Sequence, residues 1–218
     1  TATNGIADAT LNLTRSYDNS LFGNVYFNID LAKGLTLENR YGTQRENFDY
    51  SDRDNPYYGA AASPAIYGRL YKQISTRTND NFLTLLRYTT SFGSSNDHSL
   101  EVFGAHEATK YEFSRMYAYK SRAILPNTLD LDQYTTTIGK PGSYSQSWTL
   151  ESYFGQLNYD FQDKYFLTGS IRRDGSSRFS KNNRWSNFPA AAFAWKVMEE
   201  DFMKDSKTFS NLKLRLSW

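Results

Sequence analysis

The sequence predicts an all-β fold, a transmembrane antiparallel β-barrel to which this chain contributes about eight strands. Three observations predict it. Apolar and polar residues alternate with period two over long stretches, as in Leu212, Leu214, Leu216 and Trp218 set against Asn211, Lys213, Arg215 and Ser217. The segments joining these stretches are alternately short and long, as in barrels with tight turns at one end and loops at the other. Aromatic residues (17 Tyr, 15 Phe and 4 Trp) make up 17% of the 218 residues, although the mean hydropathy is −0.68. So many rings in so polar a chain suit an extended surface better than one compact core.

The alternation places strands at roughly 20–30, 35–48, 80–92, 99–113, 149–161, 165–174, 188–197 and 211–218. Each runs about 9–14 residues, above the mode of soluble sheets and matched to a tilted crossing of a bilayer. Leu31–Gly34, Gly93–His98 and Phe161–Lys164 read as short turns. The links at 49–79 and 114–148 read as long loops, 175–187 as intermediate, and 198–210 as shorter with one amphipathic turn around Met198 and Phe202. Rings gather near the strand ends. Phe92, Tyr159, Phe161, Tyr165 and Trp195 lie by the short turns, and Tyr41, Phe48, Tyr50, Tyr111, Phe113 and Tyr153 by the long loops. Two outward belts at headgroup level are the expected result. Parity puts Leu157, Leu167 and Ile171 toward lipid, and Asn158, Thr168, Ser170, Arg172 and Asp174 toward the lumen. Arg173 has lipid-face parity but lies at the strand's outer end, where a charge costs only ~0–1 kcal/mol. Ala190, Ala192 and Ala194 share one parity, leaving room for a plug or else forming a flat wall.

Residues 152–217 carry an ordered signature. Arg172-Arg173-Asp174-Gly175-Ser176-Ser177-Arg178-Phe179 is followed by Asn183-Arg184-Trp185 and Phe188-Pro189. This resembles the SusC/RagA family of TonB-dependent outer-membrane transporters, and Asn24–Leu35 resembles the family's strand, Lys-Gly turn, strand element more weakly. The resemblance implies a barrel of about 22 strands closed by an N-terminal plug. Residues 1–218 then form part of the barrel domain, without the plug. The signature itself reads as a strand–loop junction, with Gly175 as the turn residue leaving the strand and Ser176 and Ser177 bonding local backbone.

Other chemistries find little support. The chain has no Cys, so disulfides, thiolate zinc sites and Cys nucleophiles are excluded. A net charge of +2 gives no steering toward nucleic acid. The longest clean apolar run, Ala190–Trp195, is far short of a membrane helix. Two isolated histidines, His98 and His106, make neither a zinc site nor the base of a triad, and no phosphate-loop or nucleophile-elbow motif occurs. Asp49, Asp52, Asp54 and Asn55 approach calcium-loop spacing, but Tyr57 stands where Gly is needed. Asp130 and Asp132 likewise read as solvated loop carboxylates. No catalytic residue, metal or cofactor is expected.

The expectation is therefore an outer-membrane, TonB-dependent importer of glycan oligosaccharides or peptides rather than an enzyme. The resemblance implies TonB acting through the plug and a SusD-like lipoprotein on the extracellular face. Tyr57, Tyr58, Tyr67 and Tyr71 in the first long loop, and Tyr144 and Trp148 in the second, are candidate cargo or partner contacts, with loop-to-loop packing as their structural alternative. The rival reading is a soluble secreted β-sandwich that binds carbohydrate through aromatic loops. Thr1 opens the sequence without an initiator Met or signal peptide, and Trp218 is expected to be an interior position of a longer chain. Isolated, the 218 residues are expected to expose two strand edges and aggregate.

Overall fold

The computed structural model describes residues 5–58, 62–63, 65–203 and 209–218. Readings that fall on Thr1–Asn4, or on 59–61, 64 and 204–208 within the links, lie outside the described residues. The described chain contains a short helix, α1 (Gly5–Leu11), and nine strands: β1 (Leu13–Ala32), β2 (Leu35–Asp54), β3 (Arg69–Phe92), β4 (His98–Ala123), β5 (Tyr134–Thr137), β6 (Gly142–Phe161), β7 (Tyr165–Ser176), β8 (Trp185–Lys196) and β9 (Lys213–Ser217). All nine belong to one sheet in the order β1-β2-β3-β4-β6-β7-β8-β9, with β5 paired only to β4. A sandwich needs two facing sheets. The soluble alternative therefore falls, and the eight expected strands are the eight on this path.

Three expectations change. The strands are longer than the alternation implied: β1, β2 and β6 have 20 residues, β3 has 24 and β4 has 26. The long loops shrink accordingly, to 55–68 and to 124–141 with β5 inside it. Gly175 is not a turn residue. It lies within β7, opposite Glu151 on β6 and Trp185 on β8, and the chain leaves the strand after Ser176. The turn at Lys33 and Gly34 is as expected, with Gly34 at φ +74°, a conformation that glycine adopts without strain.

The chain divides into two compact units. The first comprises 1–23, 43–79 and 111–147. Its small core is Leu70, Ala123 and Tyr134, with Leu129 and Leu131 packed against it. The Tyr134 hydroxyl donates to the carbonyl of Thr128 at 3.2 Å, and burial pushes its pKa up. Asn55 is buried and accepts the N–H groups of Tyr57 and Tyr58 at 2.8 Å each, which shapes the turn. The second unit comprises 24–42, 80–110 and 148–218. Its pairing fixes which residues share a face: Leu157 faces Gly169, Asn158 faces Thr168, and Thr168 faces Ala192.

Candidate functional site

In the second unit one sheet face is apolar and open. Leu157, Leu167 and Ile171 are 39%, 48% and 57% exposed, and all three lie on the face assigned to lipid. A row of stacked rings closes one end of this face. Phe92 of β3 stacks on His98 of β4 at 4.8 Å, His98 meets Phe161 of β6 at 4.8 Å, Phe161 stacks on Tyr165 of β7 at 6.2 Å, and Tyr165 on Trp195 of β8 at 6.2 Å. Polar tips are satisfied at the same level. His98 Nδ1 and the Tyr159 hydroxyl share a hydrogen bond of 2.7 Å, and Trp195 donates to Glu200 at 3.0 Å. Tyr165 also donates to Glu200. These bonds, Tyr165 first and then Trp195, hold the Glu200 carboxyl below the usual carboxylate range.

A second row marks the other end. His106 stacks on Tyr153 at 4.8 Å, Tyr153 meets Trp185 at 6.1 Å, and the Arg173 guanidinium lies 5.3 Å above the Trp185 ring. Arg173 thus lies within this ring row, near the strand end where its place in the sequence puts it. Only Tyr153 in this row was foreseen. Phe48 and Tyr50 instead stack on one another, and Tyr50 joins Tyr71, so they form an inward cluster and not an outward belt. His98 to His106, and Tyr153 to Phe161, each span eight residues. At ~3.3 Å per residue that is ~26 Å along the strand, or ~20 Å in height at barrel tilt, close to the apolar band of an outer-membrane barrel.

The opposite face of this unit is a network of paired charges. Arg87 of β3 donates to Glu38 of β2 and to Glu101 of β4, each at 2.8 Å. Asn158 of β6 donates to Glu101 at 2.9 Å, and Thr168 of β7 to Asn158 at 3.0 Å. This single ladder links five neighbouring strands. The signature Arg172 donates to Asp174 at 2.7 Å, to Glu107 at 2.9 Å and to Ser152 at 3.0 Å, with Phe154 4.7 Å beneath it. Ser152 is fully buried, and its small side chain lets Arg172 on β7 reach past β6 to β4. Ala190, Ala192 and Ala194 face Ser170, Thr168 and Phe166, so they stand on this same inward face.

The rest of the signature builds the junction after β7. A Cβ on Gly175 would lie 2.7 Å from the Trp185 ring, so only glycine lets that ring lie flat across the strand. Thr149 N–H donates to the Ser177 hydroxyl at 2.8 Å, and Ser177 N–H returns a bond to the Thr149 carbonyl at 2.9 Å. Ser176 N–H reaches the carbonyl of Arg184, and Phe179 N–H that of Ser176, each at 3.2 Å. Asn183 ends a 3-10 turn, Lys181–Asn183, and Arg178 covers Trp148 at 5.2 Å.

In the first unit the inward parity carries rings. Tyr71 contacts Tyr50 at 6.0 Å, Tyr119 at 6.1 Å and Tyr117 at 6.4 Å. Its hydroxyl donates to Gln73 at 2.9 Å and accepts from Arg115 at 3.2 Å. Tyr144 packs on Phe113 at 5.5 Å, and Tyr57 meets Tyr67 edge-on at 6.3 Å. The six candidate contact residues are therefore split. Tyr57, Tyr58 and Tyr67 lie in the 55–68 link, whereas Tyr71, Tyr144 and Trp148 are strand residues. Sequence reasoning missed Arg115, Tyr50 as an inward ring, and the Glu107 partner of Arg172. The usable signal was parity continued along β3 and β4.

The family described as TonB dependent receptor-like, beta-barrel matches residues 1–218. The chain belongs to that family. The SusC/RagA resemblance holds as well. This stretch of TonB-dependent receptor barrel is 33% identical to the TonB-dependent receptor SusC of Bacteroides thetaiotaomicron, over 99% of the chain and 21% of that protein. It is 32% identical to the TonB-dependent receptor P3 of Formosa agariphila, over 89% of the chain and 19% of that protein. The solved RagAB peptide transporter superposes with a TM-score of 0.87 at 24% identity, covering 96% of this chain and 23% of that one, a likeness of fold. The chain spans about a fifth of the length of the curated relatives it matches.

Proposed function

We propose that this chain is part of an outer-membrane, TonB-dependent importer of glycan oligosaccharides or peptides, working with a SusD-like lipoprotein on its extracellular face. The observation that carries the reading is the pair of ring belts ~20 Å apart in height on β4 and β6, with an apolar face between them and paired charges behind. A lipid-facing exterior around a polar interior is what a nutrient pore needs. The name of the SusC relative and the description of the RagAB structure as a peptide transporter support import and leave both cargo classes in play. In this reading residues 1–218 belong to the barrel domain, and TonB acts through a plug outside them. Cargo or partner contacts fall on Tyr57, Tyr58, Tyr67, Tyr71, Tyr144 and Trp148, while Arg172–Phe179 with Asn183–Trp185 frames the wall. Uptake by cells with and without TonB tests the function, and a heated-versus-unheated gel of the membrane fraction tests the barrel. TonB-independent uptake, or extraction without detergent and no mobility shift, overturns the proposal.

A further inference from the structure

Arg115 is an exception among the arginines of the inward parity. Arg69 bonds Asp54, Arg77 bonds Glu46, Arg87 bonds Glu38 and Glu101, and Arg172 bonds Glu107 and Asp174. Arg115 bonds no carboxylate among the described residues. Its guanidinium lies 5.0 Å over the Tyr117 ring, Nη2 donates to the Tyr71 hydroxyl, and Nε is buried without a partner. Arg40 and Arg215, of the same parity, are exposed to solvent, and Arg40 shares an opening with Glu38. Arg115 is thus a half-buried cation, held in one orientation by two tyrosines, with most of its five donors unused. Holding a cation so without a counter-charge is costly, and a planar fork of this kind binds a carboxylate through two parallel hydrogen bonds. Tyr50 and Tyr119, which join Tyr71 beside it, add flat apolar surface for the body of a ligand.

We propose that Arg115 anchors a carboxylate of the cargo, so that the imported oligomer is anionic; this rests on the import reading above. The carboxylate belongs to a uronic acid unit of a glycan or to a peptide. Full-length protein purified from outer membranes is titrated with trigalacturonate and its methyl ester, and with N-acetyl-tetra-alanine and its C-terminal amide. One acid is expected to bind about tenfold tighter than its neutral counterpart, and the pair that shows the preference names the source. In Arg115→Gln that ratio falls toward one, and Arg115→Lys restores part of it. Wild-type protein that distinguishes neither pair overturns the anchor without any variant having to fold, and so does an Arg115→Gln protein that keeps the ratio. Uptake of the same probes with and without TonB separates the two readings. TonB-dependent uptake that ignores the carboxylate removes only the anchor, whereas the absence of TonB-dependent uptake removes both.

Discussion

Two stretches of β4 make the same kind of backbone ladder with inverted side chains. From His98 to His106 the outward parity holds His98, Leu100, Val102, Gly104 and His106, and the inward parity holds Glu101, Phe103 and Ala105. From Lys110 to Tyr119 the outward parity holds Lys110, Glu112, Ser114 and Met116, and the rings Tyr111, Phe113, Tyr117 and Tyr119 turn inward. The first stretch lies in the second compact unit, and all of the other but Lys110 in the first unit. A backbone ladder tolerates either arrangement, so the surrounding solvent sets the difference. Lipid requires an apolar exterior, whereas water lets the exterior be polar and frees the rings to pack within. The outward opening lined by Thr76, Thr78, Glu112, Ser114, Ser145 and Ser147, together with Gln146 and Phe113, fits the second condition, since polar groups predominate in it.

Arginine substitutions test this contrast most severely. Leu157→Arg or Leu167→Arg puts a charge in the lipid band and is expected to cost ~2–4 kcal/mol, lowering the heat-modifiable fraction on gels of outer membranes. Thr78→Arg and Ser145→Arg have the same outward parity in the other unit and are expected to change that fraction by less than ~0.5 kcal/mol. Asn158→Arg and Thr168→Arg, on the charged inward face, fall between. Equal damage at Leu157 and Ser145 would erase the distinction.

A steric change comes next. Gly175→Leu drives a side chain into the Trp185 ring and is expected to cost ~1–3 kcal/mol, seen as a lower unfolding temperature of the purified barrel. Gly175→Ala meets the same ring with one atom and should cost less. Glu107→Gln is milder still, at ~0.5–1 kcal/mol, because Asp174 keeps a hold on a partly exposed Arg172.

The contrast also explains what the sequence made legible. Alternation is visible wherever one face meets lipid, as at Phe82, Leu86 and Phe92, or Tyr153, Leu157 and Phe161. It fades from Arg69 to Asn79, where Tyr71, Gln73 and Arg77 alternate with Lys72, Thr76 and Thr78, polar on both sides. On alternation alone that stretch reads as a loop, although it is strand. The sequence alone puts rings near a strand end outward, because a ring by itself does not declare its side. Phe48 and Tyr50 needed the contact with Tyr71 to be placed, and Trp185 needed its register against Gly175. The site was less legible than the fold. Arg172 was picked out by its motif, but its partner Glu107 lies 65 positions away and follows only from strand order.

Two smaller effects sharpen the picture at the ends of the strands. Protease added to intact cells is expected to cut within 55–68, 124–133 or 177–184 and to spare 33–34 and 162–163. Cleavage at the short turns would reverse the orientation. Glu200 is held below its ordinary pKa by Tyr165 and Trp195, so its contribution to stability is complete above the unfolded-state pKa and lost as pH falls through the folded one. Glu200→Gln should therefore lower the unfolding temperature at neutral pH and make no difference in strong acid.

The Arg172 tie across Ser152 bears on how the sheet finds its alignment. A strand slipped by one residue turns its apolar side chains to the wrong solvent and is rejected at once. A slip by two residues keeps every face correct and restores most backbone bonds, so solvent preference does little to forbid it. A side chain that skips a strand, passing over the one fully buried serine in β6 to a particular glutamate on β4, removes that ambiguity. After a double slip of β7, Arg172 would stand opposite Ser152 or Gln156 instead of Phe154, and its diagonal bonds to Ser152 and Glu107 would be out of line. The signature therefore acts as a proofreading mark for β-strand assembly, one that tells the native alignment from its nearest look-alike.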